Sequence, residues 1–176
     1  LTEISEEAFA YTAIESIAIP DSISLINHGA FRETECLASV TWSRVNDLMI
    51  MSNAFYRSGL ESLHIPANIS YIGEYAFVAL TKLQEFTVDE NNPNYRSVEG
   101  LLVSKDGRKL IAAPAGKAGA FTVPEGIEVI GFGAFEGCSN IMELSSSIIG
   151  IDADTSYLGY MFGASSYLEN AAFVPR

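Results

Sequence analysis

Basic residues are scarce in this chain of 176 residues: 10 Lys and Arg stand against 22 Asp and Glu, a net charge of −12. Nucleic-acid partners are excluded on that ground, because phosphate backbones need a basic footprint. Histidine occurs only as His28 and His64, and cysteine only as Cys36 and Cys138. With no His-x-x-x-His or Cys-x-x-Cys pair, a zinc centre lacks its usual ligand spacing. Neither a Gly-x-Ser-x-Gly elbow nor a glycine loop of the dinucleotide or phosphate-binding type is present. The expectation is therefore no catalytic residue, no cofactor and no metal. Apolar runs are only a few residues long, far short of the ~20 that a transmembrane helix needs. There is no visible signal peptide and Leu1 is not a Met start, so the chain reads as a piece of a longer one whose signal and anchor lie elsewhere.

What is present is a returning phrase. Pro20, Pro66 and Pro124 each begin Pro-x-x-Ile-x-x-Ile-x-x-x-Ala-Phe, ending at Phe31, Phe77 and Phe135. Apolar residues precede the Pro at fixed offsets: Ile14, Ile17 and Ile19 before Pro20, then Leu60, Leu63 and Ile65 before Pro66. The same frame fits where Pro is replaced by Ser43, Asp89 and Ser147. The slots fall at 20, 43, 66, 89, 124 and 147, so four of the five steps are 23 residues and the fifth is 35. Ala-Phe pairs recur at 8–9, 30–31, 54–55, 76–77 and 134–135, with Met161-Phe162 as a degenerate sixth.

A period of this size marks a solenoid, in which one unit cannot bury its own apolar face and stacked units bury a shared core. Leu63-His64-Ile65 has strand alternation, and Pro66 then ends the strand because it has no N–H for the ladder. Ile72-x-x-x-Ala76-Phe77 has the spacing of one helical turn, with Phe stacking on the Phe of the next unit. The predicted fold is one α/β, mostly-β right-handed superhelix over 1–176. It has about six strands in one parallel sheet, short helical or 3-10 turns opposite, and an irregular long last repeat at 148–176.

The 35-residue step lacks the Ile-x-x-x-Ala-Phe turn. Asp89-Glu90-Asn91-Asn92-Pro93-Asn94 is a loop by composition. Lys105-Asp106-Gly107-Arg108 lies between apolar runs, which is a hairpin signal. A β-hairpin insertion at about 90–118 is expected, with a basic tip whose Arg96, Lys105, Arg108 and Lys109 are candidates for contacting a partner. A second candidate surface is the outward face of the main strands, which includes Ser62, His64, Glu85, Thr87, Thr122 and Glu143. That face is small and polar, without the aromatic anchors of tight interfaces. Cys36 and Cys138 are expected as two buried small hydrophobes, too many strand spacings apart for a disulfide. Asp152 and Asp154 offer too few oxygen ligands for a calcium shell by themselves.

Leu60-x-x-Leu63-x-Ile65-Pro66-x-x-Ile69-x-x-Ile72-Gly73-x-x-Ala76-Phe77 and Ala134-Phe135-Glu136-Gly137-Cys138 resemble the BspA-like leucine-rich repeats of bacterial cell-surface proteins. Asn94-Tyr95-Arg96-Ser97 with Gly100-Leu101-Leu102 is similar to the hairpin insertion of that family. The resemblance implies an extracellular or cell-surface protein-binding or glycan-binding adhesion module without enzymatic activity. Its ligand would be a protein or glycan on a host or neighbouring cell. The alternative is a structural spacer that displays another domain of a larger surface protein. Open solenoid ends expose unpaired strand edges and leave end-to-end self-association open.

Overall fold

The computed structural model describes residues 1–43, 45–148 and 158–164. Its elements run in order β1 Glu3–Ile4, β2 Ser16–Ala18, β3 Leu25–Ile26, β4 Ser39–Thr41, β5 Leu48–Ile50, β6 Leu63–Ile65, β7 Ile69–Ile72, β8 Phe86–Val88, β9 Tyr95–Val98, β10 Leu101–Ser104, β11 Lys109–Ala112, β12 Gly119–Thr122, β13 Val129–Ile130, β14 Ile141–Ser145 and α1 Leu158–Met161. Asp152 and Asp154, and most of the long last repeat, lie outside the described residues.

The segments ahead of the Pro slots form one face of a solenoid, and the segments after slots 20, 43, 66 and 124 form the second. Coils pair in parallel one repeat apart. Ile17 lies opposite Val40 and Leu63 opposite Phe86 on the first face, and Ile4–Ile26, Ile26–Ile50 and Ile50–Ile72 are partners on the second. Alternation along each strand turns these side chains inward, and Ile26, Ile50, Leu63 and Phe86 are buried. The first face is not the single continuous sheet expected. It falls into the ladders β2–β4, β6–β8 and β12–β14. Between β8 and β12 the Glu99-Gly100 turn intrudes, with Phe86 N–H donating to Gly100 O at 2.9 Å.

The turns also differ from expectation. The Ile-x-x-x-Ala-Phe step closes neither as an α-helical nor as a 3-10 turn. One residue before each Ala and one two places after each Phe is left-handed: Glu7 and Tyr11, Gly29 and Glu33, Asn53 and Arg57, Tyr75 and Ala79, Gly133 and Gly137. A left-handed residue cannot propagate a right-handed helix, so the segment is a chain of tight turns such as Ala30 N–H to Asn27 O. Among the described residues α1 is the only helix. The turns stack through Phe9 N–H to Ala30 O, Phe31 N–H to Ala54 O and Phe55 N–H to Ala76 O at 2.8, 2.7 and 2.9 Å. Their rings stack with them at 5.2, 4.9 and 5.4 Å between centroids along Phe9, Phe31, Phe55 and Phe77.

Three residues after Phe31, Phe55, Phe77 and Phe135 comes a buried slot. In it Thr34 Oγ1 donates to Phe31 O at 2.7 Å and Cys138 is 1% exposed. Cys36 falls two residues beyond that slot and is exposed, contrary to the expected burial of both thiols. Burial pushes the Cys138 thiol up to about 12 from an ordinary 9.0. Its contribution to stability is therefore complete below pH 9.0 and is lost as pH rises toward 12. Near neutral pH a thiol reagent is expected to label Cys36 alone in the native protein and both cysteines in denaturant. Two rapidly labelled thiols in the native state would contradict the packing of Cys138.

At the long step the antiparallel strands β9, β10 and β11 form a meander, and β11 then pairs in parallel with β13. The meander is a wall between two hydrophobic cores. Tyr95, Leu102 and Ala112 pack into the core of the first four coils. Leu101, Val103 and Leu110 pack into a second core with Phe121, Phe135 and Phe162. Side chains alternate along a strand, so β10 serves both cores at once. The apolar side chains of the meander are enclosed: Leu101, Leu102, Val103 and Leu110 are all buried.

Candidate binding site at the break in the coil

The wall interrupts the second face. One four-stranded sheet, β1-β3-β5-β7, ends at β7, and another, β13-β11-β10-β9, begins beyond it. The edge of β7 is closed by side chains. Tyr95 Oη accepts from Ile72 N–H at 2.7 Å. Asn92 Nδ2 donates to Pro66 O at 2.8 Å and Ile69 O at 3.1 Å, and Asn94 Nδ2 donates to Ser70 O at 3.0 Å. The Asn92 Oδ1 in turn accepts from Asn94 N–H and Tyr95 N–H, each at 2.9 Å. This buried amide has all its polar atoms engaged, as a buried polar group must.

Between the two sheets lies a cleft of about 260 Å³, whose lining includes Glu74, Tyr75, Tyr95, Ser104, Lys109, Phe132 and Tyr160. Its aromatic wall continues outward. Tyr56 meets Tyr75 edge-on at 5.8 Å, Tyr75 meets Phe132 edge-on at 5.3 Å, and Phe132 meets Tyr160 at 5.1 Å. These are the separations at which aromatic pairs attract. The four rings come from coils on both sides of the break. Beside them, Tyr56 Oη donates to Glu136 Oε1 at 2.5 Å and Arg57 Nη2 lies 3.6 Å from the same oxygen. Burial first, and then the hydrogen bond to Glu136, hold the Tyr56 hydroxyl above its ordinary range, so it stays a donor. Burial, with the Glu136 charge next, does the same for Tyr75.

Tyr75 occupies a costly backbone position. Its φ is 59°, in a slot filled by Gly29, Asn53 and Gly133 in other coils. A non-glycine residue there costs about 1 kcal/mol, and strain of this kind persists where the surroundings hold it. Gly133 is part of that hold, since a Cβ on it would lie 2.7 Å from Tyr75 Cε1.

The residues expected from sequence fare unevenly. Ser62, His64, Glu85, Thr87, Thr122 and Glu143 are all exposed. They are divided by the break, with Leu63–Phe86 and Ala120–Glu143 on separate ladders, and His64 Nδ1 lies 3.1 Å from Thr87 Oγ1. Arg96, Lys105, Arg108 and Lys109 are exposed too, but three are engaged within the chain. Arg108 pairs with Glu128 at 2.5 Å and Lys105 Nζ donates to Glu90 O at 2.8 Å. Arg96 lies over Gly107 so closely that any Cβ there would clash. Lys109 is the one of the four that lines the cleft. Sequence reasoning missed Tyr56, Tyr75, Phe132, Tyr160 and Glu136. The signal for the four rings was aromatic residues in the variable positions of the turns on either side of the long step, and Glu136 carried none. Among the described residues no group of three His, Cys, Asp or Glu is placed to hold a metal, and no helix is long and apolar enough to cross a membrane.

The family model for the BspA type leucine rich repeat region matches in six copies over residues 2–98 and 116–172. No curated protein matches. Among solved structures the chain is similar to the pneumococcal vaccine antigen PcpA, with a TM-score of 0.76 and 30% identity over 82% of this chain and 36% of that one. It is also similar to a leucine-rich repeat protein from Eubacterium ventriosum, with a TM-score of 0.66 and 24% identity over 82% of this chain and 45% of that one. A leucine rich cell surface protein from Faecalibacterium prausnitzii gives 0.64 and 24% over 76% of this chain and 38% of that one. The chain thus spans less than half the length of each.

Proposed function

The chain belongs to the BspA-type leucine-rich-repeat family, and from that premise we propose that it is a non-enzymatic adhesion module, secreted or displayed on a bacterial surface, that binds a protein or glycan of a host or neighbouring cell. In this reading a right-handed coil with a hairpin set into it presents one recognition site, at the break. The observation that carries it is the aromatic cleft between β7 and β11, because aromatic groups with a few convergent polar ones are what ligand sites are built from. That the similar Faecalibacterium prausnitzii protein is a cell surface protein supports the location.

A spacer is the second reading, favoured by the short polar side chains along the outward strand face. The two separate in a binding assay. The chain passed over immobilised matrix proteins and glycans is expected to be retained by at least one of them, and in solution to reduce attachment of cells bearing the parent protein. Retention by none, with attachment unchanged, would leave the spacer.

A further inference from the structure

The cleft at the break differs from the rest of the surface in how it can be read. Strand addition is a common way for a repeat sheet to take a peptide, and it needs free backbone groups along an edge. Here that edge is already occupied. Ile72 N–H is held by the Tyr95 hydroxyl, Ile69 O by Asn92 and Ser70 O by Asn94. A ligand in the cleft therefore meets side chains and not a sheet edge.

Those side chains are of two kinds. The wall is aromatic, from Tyr75, Phe132 and Tyr160. Aromatic faces carry negative potential and attract weakly positive C–H groups laid flat against them. The rim holds one carboxylate, Glu74, one ammonium, Lys109, and the Ser104 hydroxyl. Glu74 and Lys109 are both exposed, and their charges cancel. A strongly charged ligand of either sign would meet one repelling group, whereas an uncharged polyhydroxyl ligand can donate to Glu74 and accept from Lys109. The volume of about 260 Å³ admits one or two sugar rings and excludes a folded segment.

We propose that the cleft between β7 and β11 binds a neutral hexose or N-acetylhexosamine unit of a glycan, with its C–H face against the aromatic wall and its hydroxyl edge between Glu74 and Lys109. This rests on the binding-module reading and narrows its ligand and its site. The polar rim also contributes selectivity, since a sugar lacking the hydroxyl that pairs with Glu74 would lose a charge-assisted hydrogen bond.

The test is saturation-transfer NMR on the intact 176-residue chain with a panel of neutral hexoses, N-acetylhexosamines and their β-linked disaccharides. At least one sugar is expected to receive saturation, strongest at the protons of one ring face. Tyr75→Asn is the informative variant, because Asn53 fills the same left-handed position in another coil and the backbone is kept. It should weaken binding by roughly tenfold or more, as should Glu74→Ala at the exposed rim. Thr87→Ala on the strand face and Arg108→Ala at the meander tip should leave binding unchanged. Binding that survives Tyr75→Asn and Glu74→Ala overturns the site. If no sugar in the panel is bound while an immobilised protein retains the chain, the glycan assignment fails and the binding-module reading stands. If neither is bound, both fail.

Discussion

Asn92→Ala is expected to lower the unfolding free energy by about 4 kcal/mol and the melting temperature by roughly 10 °C. This one side chain donates to Pro66 O and Ile69 O and accepts from Asn94 N–H and Tyr95 N–H. Alanine would strand four backbone groups around a residue that is 0% exposed. Each unpaired buried group costs about 1–3 kcal/mol, and partial relaxation or water entry recovers some of it. Asn92→Asp should be nearly as damaging at neutral pH, since a carboxylate accepts but cannot donate to the two carbonyls. Asn94→Ala is the contrast. Its side chain is exposed and makes one bond to Ser70 O, so about 1 kcal/mol or less is expected. Urea denaturation of the three variants checks the ordering. A loss below about 1 kcal/mol for Asn92→Ala would mean that this residue does not tie the meander to the coil.

The second large effect is expected at Phe55. Its ring lies between Phe31 at 4.9 Å and Phe77 at 5.4 Å, with the edge of Trp42 at 5.7 Å. It is 0% exposed. Phe55→Ala removes a ring from the middle of the stack and leaves a cavity that the stacked backbone cannot close, a loss of about 3–5 kcal/mol. Phe55→Leu keeps most of the volume and should cost about half as much. Trp42 is the only tryptophan in the chain, so its fluorescence reports on this contact directly. The cavity variant is expected to change the native emission as well as the denaturation midpoint. A destabilisation with unchanged native emission would show that Trp42 and Phe55 do not share a packing unit.

The parallel coil was legible in the sequence because the apolar slots that build it recur at a fixed spacing. Ile26, Ile50 and Ile72 are named by their distance from the following Ala-Phe, and they are the residues that pair on the second face. The turns were not legible. Left-handed positions are filled by Glu7, Tyr11, Arg57 and Tyr75 as well as by Gly29 and Gly133. The local signal that usually marks such positions is therefore absent from most copies, and the Ile-to-Ala spacing suggested a helical turn instead.

The break was visible as a change of spacing, but its role was misjudged. Leu101-Leu102-Val103 is an apolar triplet without polar alternation, which is what a strand buried on both faces carries. Weight fell instead on the exposed cations Arg96, Lys105, Arg108 and Lys109, which are prominent in composition, although Arg96, Lys105 and Arg108 are engaged within the chain. The aromatic cleft was illegible for a different reason. Tyr75 and Phe132 are far apart in sequence and become neighbours only because the wall of β9 to β11 leaves the turn side narrow. There Ala113 stands between the flanking coils, donating its N–H to Ala134 O at 2.8 Å.

The central claim is that the interruption is a structural wall shared by two cores, and not an arm attached to the outside of one. Native-state hydrogen exchange of the β10 amides, Leu101 to Ser104, tests it most directly. An internal strand paired on both sides with three buried side chains should open only with global unfolding. The account predicts that the hydrogen-bonded amides of β10 exchange as slowly as those of β5 and β7. Exchange at rates typical of a surface loop, while β5 and β7 remain protected, would contradict it.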